Sequence, residues 1–243
     1  VLVTNAPRLQ VMAEGLVVLV GGGEFGPRAH FEVEIASSYG GRVLVVPTAA
    51  AFERPERALA TARRAFEPHG IEVVELPLYE RAQAFQQSIV REINQASCIY
   101  VIGGSPFHLR AVLKHSPVFD ALVEARARGG ALLASSAGAM VLTDPMVDPR
   151  GGALTVGLGL VQRLAVIPHA DTWPNDLRAR TAQLAPPEVL VAELPEQTAL
   201  AVHRDGTLAS YGTVRLSRNQ REVDAADVRV SLLEANTAPS SGD

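Results

Sequence analysis

The sequence holds a single cysteine, Cys98, among 243 residues, and aromatic side chains make up only 5% of it. One cysteine closes no intrachain disulfide, so core packing and hydrogen bonds must hold the fold. With aromatics scarce, aliphatic residues build the core, and at 47% apolar the chain is rich enough and long enough to bury one as a single domain. There is no excess of positive charge either: 22 Lys and Arg stand against 26 Asp and Glu. A net charge of -4 offers no field for phosphates, which argues against nucleic acid or an anionic membrane as partner.

Long apolar runs are missing as well. Leu16 to Val20 is too short to span a bilayer, and the start of the chain lacks the regions of a signal peptide, so the expectation is a cytoplasmic protein. No H-E-x-x-H, paired cysteine or acidic cluster calls for a metal. Met is not the first residue, and Val1 to Ala13 is set aside as a leader or extended N-terminus. The small, polar stretch from Asn236 to Asp243 is expected to be disordered. This leaves 14–235 as one domain.

What is present is alternation. Gly15 to Gly21, Arg42 to Pro47, Ile71 to Leu76, Cys98 to Ile102 and Ala131 to Ala134 are short, nearly all-apolar runs, the signature of strands buried on both faces. Between them lie helical stretches: Ala29 to Tyr39, Arg57 to Phe66, Phe85 to Ala96, Phe107 to Lys114 and Val118 to Arg128. Gly40-Gly41, Gly70 and Gly129-Gly130 stand as stop signals. Such repeats predict a doubly wound α/β fold with a mainly parallel sheet, in which ligands sit beyond the carboxyl ends of the strands. After Met140 the pattern turns Gly- and Pro-rich up to His169, followed by a helix over Asn175 to Leu184. Glu188 to Val202 and Thr207 to Val214 then read as strands joined at Arg204-Asp205-Gly206, a C-terminal β-hairpin.

The strongest chemical signal is Leu132-Leu133-Ala134-Ser135-Ser136-Ala137-Gly138-Ala139-Met140, an apolar strand running into small residues. A nucleophile elbow needs small side chains around a serine lifted above the sheet, with the next N–H aimed at the developing oxyanion. Ser136, Ala137 and Gly138 meet that need, although Ala134 stands where G-x-S-x-G has its first glycine. A plain turn of small residues is the alternative. A serine hydroxyl needs a base. Of six histidines, His169 is the best placed, following the apolar run Leu164 to Pro168 at a strand end, and His108 is second. The base needs a carboxylate to hold its tautomer, for which Glu196 is the candidate and Asp171 and Glu193 are competitors.

Two glycine-rich segments complete the inventory. Gly21-Gly22-Gly23-Glu24-Phe25-Gly26 fits G-x-G-x-x-G, but Arg42 to Pro47 is followed by Thr48-Ala49-Ala50-Ala51 with no carboxylate for a ribose, which argues against a dinucleotide site. Its glycines are better suited to letting the backbone pass close to a substrate. Gly103-Gly104 ends a strand before a helix, and either contributes N–H groups to an oxyanion hole or makes a tight turn. Cys98, with no charged partner in sequence, reads as core.

Taken together and in order, Val18 to Phe25, Ile99 to Leu109, Ser135 to Ala139, Gly157-Leu158-Gly159-Leu160 through Pro168-His169, and Leu194 to Leu200 resemble the peptidase E and cyanophycinase family of serine peptidases. The resemblance implies a flavodoxin-like, class I glutamine amidotransferase-like fold and no cofactor. It also implies a Ser136-His169-Glu196 triad with Gly104 and Ala137 as oxyanion donors. Gly23, Phe25, Gly103, Ser105 and Arg178 are the expected substrate-binding residues, though Arg178 and its neighbour Arg180 suit a solvated helix face as well. The expected substrate is a small peptide, with an N-terminal Asp or an aspartyl link in the family pattern, acted on by a monomer or homodimer. Two departures bear on substrate: Gly103-Gly104-Ser105-Pro106-Phe107 replaces the common G-G-N-T-F, and Met140 stands where Asn is frequent. A catalytically idle binding protein on the same fold is the rival reading, and a nucleotide binder using Gly21 to Gly26 a more distant one.

Overall fold

The computed structural model describes residues 15–235, so both the proposed leader and the proposed disordered tail lie outside the described residues. The central sheet contains five parallel strands, β1 (Leu16–Val20), β2 (Arg42–Val46), β3 (Glu72–Glu75), β4 (Cys98–Val101) and β5 (Ala131–Ser135). In space their order is β1, β5, β4, β2, β3. Between them run α1 (His30–Ser38), α2 (Pro55–Phe66), α3 (Gln87–Gln95), α4 (Pro106–Leu113) and α5 (Pro117–Ala127), each within two residues of its expected bounds. The fold is α/β with a large, mostly parallel central sheet.

Why the strands are apolar throughout follows from the layers. Alternate residues of a strand point to opposite faces. Val18, Val20, Val43, Val45, Tyr100 and Leu133 join Ile35, Leu59 and Phe66 in one core under α1 and α2. Val17, Leu19, Leu44, Val46, Ile99 and Leu132 join the residues of α3 and α5 in the other. Cys98 lies wholly inside the first core, and burial pushes its thiol up to about 12, which leaves it an inert apolar side chain.

Beyond β5 come α6 (Ala137–Leu142), β6 (Leu164–Pro168), α7 (Asn175–Leu184), β7 (Leu190–Leu194), β8 (Ala199–Val202), β9 (Leu208–Tyr211) and β10 (Arg215–Arg218). The expected strand Glu188 to Val202 is in fact two. β7 runs parallel to β6 in a second sheet, whereas β8 crosses to the central sheet and pairs antiparallel with β1 and β9. Pro195 makes the break, because it has no N–H for a ladder. β10, antiparallel to β7, was not anticipated, since Arg215-Leu216-Ser217-Arg218 has no apolar run to announce it.

Strand register gathers the loops that matter. Val20 pairs with Ser135, so the chain after β1 starts beside the turn after β5. Val101 pairs with Ala134, which brings the end of β4 to the same place. Pro168 pairs with Leu194, setting His169 beside Pro195 and Glu196. Among the described residues no helix is long and apolar enough to cross a membrane.

Candidate active site

Ser136 occupies the sharp turn between β5 and α6 with φ 49° and ψ -108°. A non-glycine residue there is strained by about 1–3 kcal/mol and must be held by its surroundings. Its N–H donates to the Val20 carbonyl at 3.0 Å and its carbonyl accepts from the Met140 N–H at 3.0 Å, so both sides of the turn are pinned. The hydroxyl oxygen lies 2.9 Å from Nε2 of His169, and Nδ1 of the same ring lies 2.9 Å from Oε1 of Glu196. Three side chains far apart in sequence thus form one hydrogen-bonded path at the carboxyl end of the sheet. The imidazole is 30% exposed and the Glu196 carboxylate 38% exposed, so the path is open to solvent along one side.

The glycine-rich segment after β1 braces this path. The His169 N–H donates to the Gly21 carbonyl at 2.6 Å, the Gln197 N–H to the Gly22 carbonyl at 2.7 Å, and the Gly21 N–H to the Thr198 carbonyl at 2.9 Å. Like Ser136, His169 and Gln197 have positive φ, 49° and 58°. Gly22 (φ +114°) has to be glycine for steric reasons also: a Cβ there would lie 2.1 Å from Cε1 of His169 and 2.6 Å from both ring nitrogens. What reads in sequence as a phosphate-binding fingerprint is the floor against which the imidazole lies.

The competing residues are engaged elsewhere. Oδ1 of Asp171 accepts from the Glu196 N–H at 3.0 Å, so this carboxylate positions Glu196 from behind. Glu193 pairs with Arg178 at 2.5 Å and with Arg215 at 3.6 Å. Nε2 of His108 lies 2.7 Å from the Tyr79 carbonyl and its ring meets Phe52 edge-on, which gives it a structural place on α4.

Of the residues expected to bind substrate, Gly23 and Gly103 line the site. A Cβ on Gly23 would meet Glu196 at 3.2 Å, and one on Gly103 would meet the Ser136 Cβ at 3.1 Å. Three others sit differently from expectation. The Phe25 ring packs on Phe66 and Tyr100, at 5.5 and 5.0 Å between centroids, and closes the core under α1 and α2. Ser105 caps α4, its Oγ accepting from the His108 N–H at 3.3 Å, and Pro106 takes the first helical position, where a missing N–H is harmless. Arg178 bonds Glu193 and Asn175 at a cavity of about 450 Å³ whose lining includes none of Ser136, His169 and Glu196.

The oxyanion candidates have the required free donors. Neither the Gly104 N–H nor the Ala137 N–H has an acceptor among the described residues. Gly104, at φ +137°, presses so closely on the preceding loop that a Cβ would fall 2.3 Å from the Ala49 carbonyl oxygen.

One residue beside the nucleophile, Glu24, carries no local signal in the sequence. Glu24, inside the glycine-rich segment, accepts from the Ser135 hydroxyl at 2.7 Å and from the Gly103 N–H at 3.3 Å. Behind it, Glu32 accepts from the Tyr100 hydroxyl at 2.5 Å and the Phe25 N–H at 2.8 Å. Burial, against the pull of those two hydrogen bonds, raises its carboxyl to about 7.

Two curated proteins named cyanophycinase, from Synechococcus elongatus and from Thermosynechococcus vestitus, are each 26% identical over 217 residues, a match covering 82% of this chain and 66% of theirs. The crystal structure of a peptidase from an acI-B1 Actinobacterium superposes with a TM-score of 0.69 at 29% identity, covering 92% of this chain and 96% of its own. A Listeria monocytogenes protein shares the fold at a TM-score of 0.59 and 20% identity, covering 85% of this chain and 99% of its own. Residues 17–209, from β1 into β9, match the sequence pattern of peptidase family S51, and the chain belongs to that family of serine peptidases.

Proposed function

We propose that the chain is a serine peptidase that hydrolyses short peptides through an acyl-enzyme. The observation that carries the reading is the unbroken path from the Ser136 hydroxyl through His169 to Glu196, with both contacts at 2.9 Å. Family membership and the named activity of the curated relatives support it. The resemblance of the ordered motifs supports reading the fold as class I glutamine amidotransferase-like.

In this scheme Nδ1–H of His169 donates to Glu196, which leaves Nε2 unprotonated to accept the hydroxyl proton of Ser136. Oγ bonds to the carbonyl carbon while its proton passes to Nε2, and Glu196 stabilises the resulting imidazolium. The tetrahedral oxyanion is met by the N–H groups of Ala137 and Gly104. The carbon–nitrogen bond then breaks, the amine leaving with the proton from Nε2. Water attacks the ester by the same route, its proton going to Nε2 and returning to Oγ. Every proton is accounted for by one imidazole, and no cofactor enters the scheme.

Peptides with an N-terminal Asp or an aspartyl link head the candidate substrates, on the resemblance of the motifs. The test is covalent labelling with a fluorophosphonate, mapped by mass spectrometry, followed by a dipeptide screen. Modification at Ser136, lost in Ser136→Ala, is the expected result. An unmodified Ser136 overturns the peptidase reading, and a labelled serine with inert aspartyl dipeptides overturns the substrate alone.

A further inference from the structure

Under the nucleophile lies a buried carboxyl that the reaction scheme does not use. Glu32, on the first turn of α1, is 1% exposed. Its Oε2 accepts from the Phe25 N–H at 2.8 Å, and its Oε1 lies 2.5 Å from the Tyr100 hydroxyl oxygen. That hydroxyl is in turn a hydrogen-bonding neighbour of the Ser135 hydroxyl, which donates to Oε2 of Glu24 at 2.7 Å. Tyr100 and Ser135 are both wholly buried. Four side chains from α1, β4, β5 and the loop after β1 thus make one polar chain, and it passes through the residue immediately before the nucleophile.

The direction of the hydrogens along this chain depends on one proton. With Oε2 occupied by the Phe25 N–H, a protonated Glu32 carries its hydrogen on Oε1 and donates it to Tyr100. Tyr100 then donates to Ser135 and Ser135 to Glu24, so each hydroxyl both gives and receives, and such chains strengthen cooperatively. With Glu32 ionised, Tyr100 turns its hydrogen back to Glu32 while Ser135 still donates to Glu24. The two hydroxyl oxygens then face each other with no hydrogen between them, and the chain is cut beside Ser135.

We infer that Glu32 is a positioning residue for the nucleophile and a pH-sensitive one: protonated, it completes the chain that pins Ser135 and with it the strained turn at Ser136, and ionised, it releases that hold. This rests on the peptidase reading above. A residue at φ 49° keeps its conformation only where its surroundings hold it, so a bond to its neighbour bears on the position of Oγ. The groups facing Glu32 decide when the proton leaves. β4 presents Tyr100, the loop after β1 presents Glu24, and α2 presents Leu59, Ala62 and Phe66 to the same core. Among the described residues no cation offsets the charge. Burial, with a smaller push from Glu24, outweighs the two hydrogen bonds that favour the charged form and keeps the carboxyl protonated up to about 7.

The test is the rate of Ser136 phosphonylation by a fluorophosphonate carrying no amino group, followed from about pH 5.5 to 9 at a temperature where thermal unfolding shows the protein folded throughout. Such a probe reads the nucleophile alone. In wild type the rate should climb as the imidazole base is freed of its proton, pass a maximum near pH 7 and then fall roughly fivefold, the worth of one net hydrogen bond. Glu32→Gln mimics the protonated form, its amide N–H donating to Tyr100 and its oxygen accepting from Phe25. It should match wild type at about pH 6 and keep climbing to a plateau. Tyr100→Phe removes the middle of the chain, so it should run roughly fivefold below wild type at about pH 6 and show no later fall. A wild-type rate that levels off without falling overturns the inference, as does a fall that survives in Glu32→Gln or in Tyr100→Phe. A Ser136 that takes no label at any pH is a separate failure, which overturns the peptidase reading itself.

Discussion

Gly22→Ala is the sharpest perturbation of the site, because it adds one carbon atom and its effect can be worked out in advance. The added Cβ would lie 2.1 Å from Cε1 of His169, against 3.4 Å for ordinary van der Waals contact, so ring and backbone must separate by about 1.3 Å. The backbone on the glycine side has little freedom to retreat, as the Gly21 and Gly22 carbonyls are both held by N–H groups of the facing loops. The imidazole is the softer partner, and moving it breaks the 2.9 Å contact with Ser136, the 2.9 Å contact with Glu196, or both. A misplacement of that size costs about 10²-fold in rate, and outright loss of the general base up to about 10⁴-fold. Strain at φ +114° adds about 1–3 kcal/mol of destabilisation.

The assay is kcat/KM for peptide hydrolysis beside the rate of Ser136 phosphonylation, with thermal unfolding in parallel. Gly40→Ala is the control: its φ is +98° and nothing lies within 4 Å of the added carbon, so it carries the backbone strain without the collision. A rate loss of 10²-fold or more in Gly22→Ala, with Gly40→Ala near wild type, is the expected outcome. If Gly22→Ala stays within threefold of wild type in both reactions, the brace does not position the base.

Glu196→Gln should lower hydrolysis by roughly 10²- to 10⁴-fold, whereas Asp171→Ala, which removes only the acceptor for the Glu196 N–H, should cost about 10-fold. Equal losses would reverse the two roles. Arg178→Met leaves the buried Glu193 with Arg215 alone and should cost about 1–3 kcal/mol of stability, read by denaturant unfolding, with KM unchanged. A raised KM would return Arg178 to the substrate site. Glu32, with a folded pKa of about 7 against an ordinary 4.5, binds more protons folded than unfolded between those values. Its neutral form is stabilised below pH 4.5, and that advantage is lost as pH rises through 7, about 3 kcal/mol in all. Glu32→Gln should flatten this part of the stability–pH curve, and a wild-type curve already flat from pH 5 to 8 contradicts it.

The parts of this molecule that were legible in sequence are those decided by neighbours along the chain. β1, β2 and β4 announce themselves as apolar runs because both faces of the sheet are covered, and the helix ends follow local glycine and proline signals. Ser136 stands out because an elbow needs small residues beside it, and His169 because it directly follows an apolar strand. β10 and the division of Glu188 to Val202 between two sheets were hidden, since which sheet a strand joins depends on partners far along the chain.

The same distinction explains the glycine-rich segment after β1. Read along the chain, Gly21 to Gly26 satisfies a pattern whose glycines make room for a phosphate, and Phe25 falls among the expected substrate-binding residues. In the fold, Gly22 makes room for an imidazole 147 positions later, and the Phe25 ring is drawn into the core by Phe66 and Tyr100. Glu24 meets Ser135 across 111 positions and Gly103 across 79. Because β1 lies next to β5 in the sheet, the segment following it is delivered to the nucleophile whatever its own composition. Its residues are therefore constrained by the side chains they meet there, and a substitution within it should be judged by its distance from His169, Ser135 and Gly103 rather than by its fit to a loop motif.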